Sequence, residues 1–422
     1  MRNRTWFAGF AALCLGQFLG HQTGLTFSAL IPILRGEWHL SASQAGLVLG
    51  AFQLGQLAAY VAVGLLLDRL PSKPIMIASA ASVGGADLLF ATWAHHFASA
   101  FFLRLLGGIL IGGLYLPALK YISVTTPARR RGLITGTYIG VIVAAYAAPL
   151  FYIGVLAPHV GWRHAMIGVG LLELLGALVL TRLPDVPAPA AAERTGFGRY
   201  LGDVLRNGPA RRVILAYTAH NWELFGMWGW LGPFMVASLV DRGGAGALAL
   251  GGGLSAIIIG VGGSTGAVIG GRVSDLLGRA RAATLILRMS LVCSLVFGWL
   301  FAAPVAWRVA VGLVYGIVSL ADSPSYSAAL MEVVPARSLG GALSMQMLTG
   351  WTATAVAPVA FGVTLDLLRS ARLGPTAPWG AAFGILALGP VVGILALAPL
   401  RAALRPHPPA APEPERGRPE AV

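Results

Sequence analysis

A handful of ionisable side chains stand in the middle of long apolar runs. Arg104, Glu223 and Asp322 lie deepest, His21 and His220 occupy two of the same kind of run, and Asp87 and Glu173 sit in two more. If such a run crosses lipid, a charge at its centre costs ~2.5–3.5 kcal/mol or more, so each must face protein or a water-filled cavity. The chemistry open to them is binding rather than bond-making. A buried carboxyl takes up a proton nearer neutrality than a solvated one, which makes Glu223 the first candidate for a proton carrier. Its alternatives are a fixed pair with Arg104 or a hydrogen bond between helices. Arg104 reads equally as a hydrogen-bond anchor and as a direct ligand of a substrate or proton site. Asp322 directly precedes Ser323-Pro324, where a proline frees a backbone carbonyl, so capping that break competes with a transport role. His21 and His220 titrate near neutrality when unperturbed, or stay neutral and bonded to a neighbouring helix. Gln17, Tyr115 and Trp222 complete the candidates, Trp222 as a wall for an organic substrate beside Glu223. Trp228, Trp230 and Trp351 read as interface anchors.

Composition says what must carry these residues. The chain is 56% hydrophobic and 11% charged with a mean hydropathy of +0.75, whereas soluble domains are about a quarter charged. Its apolar runs, about twelve of them, reach the ~20 residues that a helix needs to cross a ~30 Å hydrocarbon core. Cys14 and Cys293 fall in separate runs, which excludes a disulfide framework and leaves no thiol cluster for a metal. The net charge of +14 does not point to nucleic acid. Most of the 30 Lys and Arg cluster at the termini and in alternate loops, the asymmetry that keeps basic loops in the cytoplasm. Both termini are therefore expected there, in a multi-pass protein of the cell membrane with the bilayer as its main partner.

The loops contain a repeat. Gly64-Leu-Leu-Leu-Asp68-Arg69-Leu-Pro-Ser-Lys73 returns as Gly271-Arg-Val-Ser-Asp275-Leu-Leu-Gly278-Arg279-Ala-Arg281, displaced by close to half of the 422 residues. Tyr115-Leu-Pro117 maps onto Asp322-Ser-Pro324 under the same displacement. A glycine, three residues, Asp-Arg and a basic cluster resembles the loop between the second and third helices of major facilitator superfamily transporters. Pro71 and Leu276 depart from that pattern without removing the acid or the positive charge. Arg104-Leu-Leu-Gly107-Gly108 is similar to the family's fourth-helix motif.

The resemblance implies an all-α integral membrane fold of 12 transmembrane helices in two six-helix parallel-repeat bundles, with substrate held between them near mid-membrane. The bundles are expected at residues 1–183 and 210–400, joined by a cytoplasmic linker at 184–209 and followed by a disordered cytoplasmic tail at 401–422. Tyr200, Leu201, Val204 and Leu205 offer one apolar face to a short surface helix, and a flexible tether is the alternative. In that fold the first, fourth, seventh and tenth helices line the cavity. They would bring His21, Arg104, Glu223 and Asp322 together, and leave Asp87 and Glu173 as structural residues at the periphery. Gly64, Asp68, Arg69, Lys73, Gly271, Asp275, Arg279 and Arg281 would form gates.

The function expected is secondary active transport of a small organic solute by alternating access, coupled to protons, by a monomer with no cofactor. The chain has no Gly-x4-Gly-Lys-Ser/Thr phosphate loop, so ATP drive within it is not expected. No His-Glu-x-x-His or similar constellation suggests an enzyme. Arg104 with two histidines favours a small organic anion. In the drug-antiporter branch the fifth helix carries glycines after its proline, whereas Leu150 and Phe151 follow Pro149 here. A proton-driven efflux pump for amphiphilic cations, served by Glu223, Asp322 and aromatics, and a non-transporting sensor remain the alternatives.

Overall fold

A computed structural model describes residues 2–67, 69–186, 202, 204–239 and 244–400, and every regular element among them is helical. The first group runs α1 (Arg2–Gly20), α2 (Thr26–Glu37), α3 (Ala42–Leu67), α4 (Ser72–Trp93), α5 (Phe97–Thr125), α6 (Ala128–Val160) and α7 (Trp162–Leu180). A second group follows. It begins with α8 (Gly208–Ala237) and α9 (Gly244–Ile257), which passes through a π turn at Ile258–Gly262 into α10 (Gly263–Leu277). It continues with α11 (Arg279–Phe297), α12 (Val305–Ala321), α13 (Ser323–Val333), α14 (Ala336–Ser370), α15 (Thr376–Leu386) and α16 (Leu388–Leu397).

Among the described residues ten helical stretches are long and apolar enough to cross a membrane. The expected first and seventh spans are not among them, for two physical reasons. The first run, expected to be one helix, is broken at residues 21–25 into α1 and α2. The seventh, α8, is 30 residues long but carries Tyr217, His220, Asn221 and Glu223 through its middle. The tenth run is interrupted as well, at Asp322 between α12 and α13.

Local chemistry sets several boundaries. Asn207 caps α8 by accepting from the Ala210 N–H at 3.0 Å, with Pro209 in the first turn, as side-chain caps and early prolines do. Gly278 turns the chain between α10 and α11 at φ +83°, a conformation that a Cβ disfavours. Of the expected surface helix in the linker, residues 202 and 204–206 are helical and Val204 is buried; Tyr200 and Leu201 lie outside the described residues, as does the tail from 401.

Helices α3 and α5, α4 and α7, and α1 and α7 pack within the first group, and α8 packs on α14 and α16 within the second. The groups meet along two seams, α3 against α14 and α6 against α9. The α3–α14 seam is tight because Gly46 and Gly50 let the backbones touch. A Cβ on either would run into the carbonyl oxygen of Pro358 or Ala355, the close approach that small residues allow between membrane helices. Gly154 and Gly252 do the same for α6 and α9.

These seams close one end of the molecule. There the Asp366 carboxylate of α14 accepts from the Ala42 N–H at 2.9 Å, the Ser43 N–H at 2.7 Å and the Ser43 hydroxyl at 2.7 Å, fastening the start of α3. At the other end the ion pairs stay within one group. Lys73 lies 2.9 Å from Asp185, and Arg279 lies 2.5 Å from Asp275 and 3.2 Å from Glu332. Gly64, Gly136, Gly271 and Gly340 face open space at this end.

Candidate functional site

The polar stripe of α8 sets the site. Tyr217, His220, Asn221, Leu224, Phe225 and Trp228 recur at helical spacing on one face, and all of them line a cavity of about 170 Å³ between the two groups. From the first group come His21 at the α1–α2 break, Tyr60 of α3, Tyr115 of α5 and Tyr146 of α6. Trp351 of α14 and Ser323 at the α12–α13 break close it from the second. The aromatic rings support one another across the groups. Tyr60 meets Trp351 edge-on at 5.0 Å and Tyr146 meets Trp228 at 6.3 Å.

No carboxylate is among the described residues that line this space. Asp322 stands behind it, with Oδ1 2.8 Å from His220 Nδ1 and Oδ2 accepting from the Tyr326 hydroxyl at 2.5 Å. Its side chain makes no capping bond to α13, so the expected alternative of a cap at the proline break is replaced by a grip on His220. His21 Nδ1 lies 2.9 Å from the Gln17 carbonyl, and its ring lies 5.9 Å from Tyr146.

The remaining candidates sit elsewhere. Glu223 lies between Asn221 and Leu224 of the stripe but points off its face into the second group, accepting from the Ser290 and Ser294 hydroxyls at 2.6 Å each. Ser294 continues the chain to the Tyr315 hydroxyl at 2.8 Å. Glu223 therefore makes neither the expected approach to the cavity nor a pair with Arg104; the interhelical hydrogen bond is the alternative that the geometry realises. Trp222 also leaves the cavity, donating to the Ile385 carbonyl of α15 at 3.2 Å. Trp228 and Trp351, read from sequence as anchors, are the ones that wall it. Gln17 lies beneath, reaching the Leu114 carbonyl at 3.4 Å and accepting from Tyr138 at 3.3 Å.

Arg104 is buried away from the cavity, stacked over Phe52 at 4.3 Å. Its guanidinium donates to Thr23 Oγ1 at 2.6 Å and to the Thr23 carbonyl at 2.8 Å, and Nη1 lies 3.4 Å from Asp87. Glu173 accepts from the Thr23 N–H at 2.9 Å. Asp87 and Glu173 were expected at the periphery of the fold; instead they join Arg104 around the break in the first run. Backbone freed inside a membrane must find partners in protein, and these three side chains supply them.

Of the expected gates, Asp68 lies outside the described residues. Lys73 stays within the first group, as does Lys120, which was not among the expected gates and donates to the Leu67 carbonyl at the end of α3. Arg279 ties Asp275 to Glu332 within the second. A larger depression of about 1150 Å³ lies at the closed end, where Arg35, Arg308 and Arg369 line it. It is a vestibule at that end, lined by Ile31, Pro32, Ile33 and Arg35 of the first group and otherwise by the second. Among the described residues no group of three or more His, Cys, Asp or Glu could hold a metal.

Known proteins resemble the chain throughout. The sequence profile of the Major Facilitator Superfamily matches residues 13–321. A probable sulfoacetate transporter, SauU, of Cupriavidus necator is 26% identical over 220 residues, 51% of this chain and 50% of that protein. The 4-hydroxybenzoate transporter PcaK of Pseudomonas putida is 28% identical over 151 residues, 36% of this chain and 34% of that one. The chain thus spans half or less of the length of these two relatives. Among solved structures, the nucleoside transporter NupG superposes with a TM-score of 0.75 over 94% of this chain and 99% of its own, at 14% identity.

Proposed function

Because the chain belongs to the Major Facilitator Superfamily, a family of carriers rather than enzymes, we propose that it moves a small organic anion across the cell membrane by alternating access, coupled to protons. The observation that carries this reading is the composition of the cavity wall. Two imidazoles, Asn221 and several tyrosine hydroxyls offer hydrogen-bond donors, aromatic rings offer a body-sized apolar surface, and no described carboxylate competes for the site. A carboxylate or sulfonate is bound by such donors, and a space of about 170 Å³ suits an anion of modest size. An aromatic cage also attracts cations, but here the acid that would complete a cation site, Asp322, is turned onto His220. The names of the two relatives, a sulfoacetate and a 4-hydroxybenzoate transporter, support the anion class.

With basic loops and both termini in the cytoplasm, the end fastened by Asp366 is the outer one and the structure is the inward-open state. The bundles, residues 1–183 and 210–400, then rock about the α3–α14 and α6–α9 seams. The gates at Asp68 and Asp275 engage across the inner end when the outer end opens. Outside, Arg35, Arg308 and Arg369 of the vestibule would raise the local concentration of an anion.

The test is uptake of radiolabelled 4-hydroxybenzoate and sulfoacetate into proteoliposomes holding the full chain, with a lipophilic cation as competitor. Uptake of either anion should saturate. In His220→Ala the KM should rise about tenfold or more, the loss of one hydrogen bond to a charged ligand at ~1.5–3 kcal/mol. Efflux of the cation with no anion uptake would refute the anion reading and restore the drug-pump alternative.

A further inference from the structure

Three buried charges around the α1–α2 break do not cancel. Asp87 of α4, Arg104 of α5 and Glu173 of α7 are 2%, 2% and 0% exposed. Arg104 donates to Asp87 Oδ1 and to Thr23 through its Nη atoms while its Nε–H is buried without a partner, and Glu173 Oε1 takes the Thr23 N–H. The side chains of Asp87 and Glu173 are within hydrogen-bonding reach of each other. Their outer oxygens, Asp87 Oδ2 and Glu173 Oε2, are buried and have no donor. The other polar groups that face the cluster are the Tyr152 hydroxyl of α6, itself buried without a partner, and Tyr146 on the side of Arg104. Neither is a cation. With both carboxyls ionised the cluster carries one uncompensated negative charge in a place without water, and two adjacent carboxylates in such a place share a proton instead.

We propose that Asp87 and Glu173 hold one exchangeable proton between them and that this pair is the proton-binding site of the carrier. The shared proton supplies the donor that the two orphaned oxygens lack and leaves the cluster neutral. The proton comes from a hydronium that leaves as water, and release runs in reverse; the void of about 10 Å³ beside Arg104 is the size of one water but is lined by neither carboxyl. Deprotonation sets a second negative charge against the first. Glu173 and Arg104 hold the N–H, carbonyl and hydroxyl of Thr23, so the rearrangement acts on the break that places His21 in the cavity wall. The site deepens the proton-coupled reading given above and rests on it for the transport consequence alone.

The experiment is pH-difference infrared spectroscopy on the full-length protein in nanodiscs, which reads the C=O stretch of a protonated buried carboxyl without needing a substrate. Wild type should show a band that grows as pH falls. Asp87→Asn and Glu173→Gln, both nearly isosteric, should each abolish it, because the carboxylate left behind has Arg104 to itself. Glu223→Gln and Asp322→Asn should retain it. A band that survives in either Asp87→Asn or Glu173→Gln, or no titrating band in wild type, overturns the proposal; if one variant does not fold, the other decides. In proteoliposomes, anion uptake by Glu173→Gln should lose its dependence on the pH gradient. A wild-type band without anion uptake would sink the anion reading and leave the proton site standing, whereas anion uptake without the band would do the reverse.

Discussion

Removing the carboxylate of Asp366 should open the end of the molecule that it fastens. It accepts three hydrogen bonds from the first turn of α3 at 2.7–2.9 Å. Bonds to a charged group contribute ~1.5–3 kcal/mol each when buried. Asp366 is half-buried, so water replaces part of what is lost, and about 0.5–1 kcal/mol per bond is the fitting scale. Asp366→Ala then shifts the balance between closed and open outer ends by ~1.5–3 kcal/mol, on the order of tenfold to a hundredfold in population. Asp366→Asn should shift it less, since its amide oxygen can still accept from the Ser43 N–H and hydroxyl while its N–H₂ meets the Ala42 N–H. Spin labels on Gly36→Cys, where a side chain meets open space, and on exposed Leu373→Cys, in a background free of Cys14 and Cys293, read the separation directly. A longer distance should gain population in both variants. If the distance distribution of Asp366→Ala matches that of the parent, the carboxylate is not the latch.

The α3–α14 seam offers a complementary test. Gly46→Leu puts a side chain against the Pro358 carbonyl, so the outer end should not close; crosslinking across the seam should fail while the detergent-solubilised protein stays monodisperse. Glu223→Leu strands the Ser290 hydroxyl, Ser294 keeping Tyr315, and should lower stability by about 1–3 kcal/mol for the unsatisfied group. Adding Ser290→Ala should recover most of it, and a thermal melt of the double variant below that of Glu223→Leu would contradict the account. Arg104→Lys keeps the charge but cannot span Thr23 and Asp87 with a rigid fork, so its melting temperature should fall and its α1–α2 break should exchange amide hydrogens faster than in wild type.

The two-group helical plan and the family were legible because lipid demands long apolar runs and the loop motif recurs half a chain apart. What the sequence hid was direction. Every charged residue of the cluster was visible in it, yet Asp87 and Glu173 were read by the place of their helices in the fold rather than by what each side chain could meet. In α8 the stripe from Tyr217 to Trp228 steps by three and four residues and could have been read as one face. Glu223 and Trp222 fall on either side of that face, each more than ~100° from its centre at ~100° per residue, and nearness in sequence to His220 suggested a shared role that this placing does not give. The break at residues 21–25 also left a trace. Gly20 and Gly24 bracket His21, Gln22 and Thr23, a polar knot that a continuous helix has little reason to contain.

The polarity that gives α8 its cavity stripe bears on how the chain enters the membrane at all. A translocating segment partitions into lipid by its own apolarity, and α8 is not apolar enough to count among the ten crossing stretches. Its buried Glu223 is matched by hydroxyls on α11, and its His220 by Asp322, where α12 gives way to α13. Those partners are synthesised later. During biogenesis α8 is therefore expected to wait at the exit of the insertion machinery until the helices that neutralise it arrive, the second group integrating as a set rather than one helix at a time.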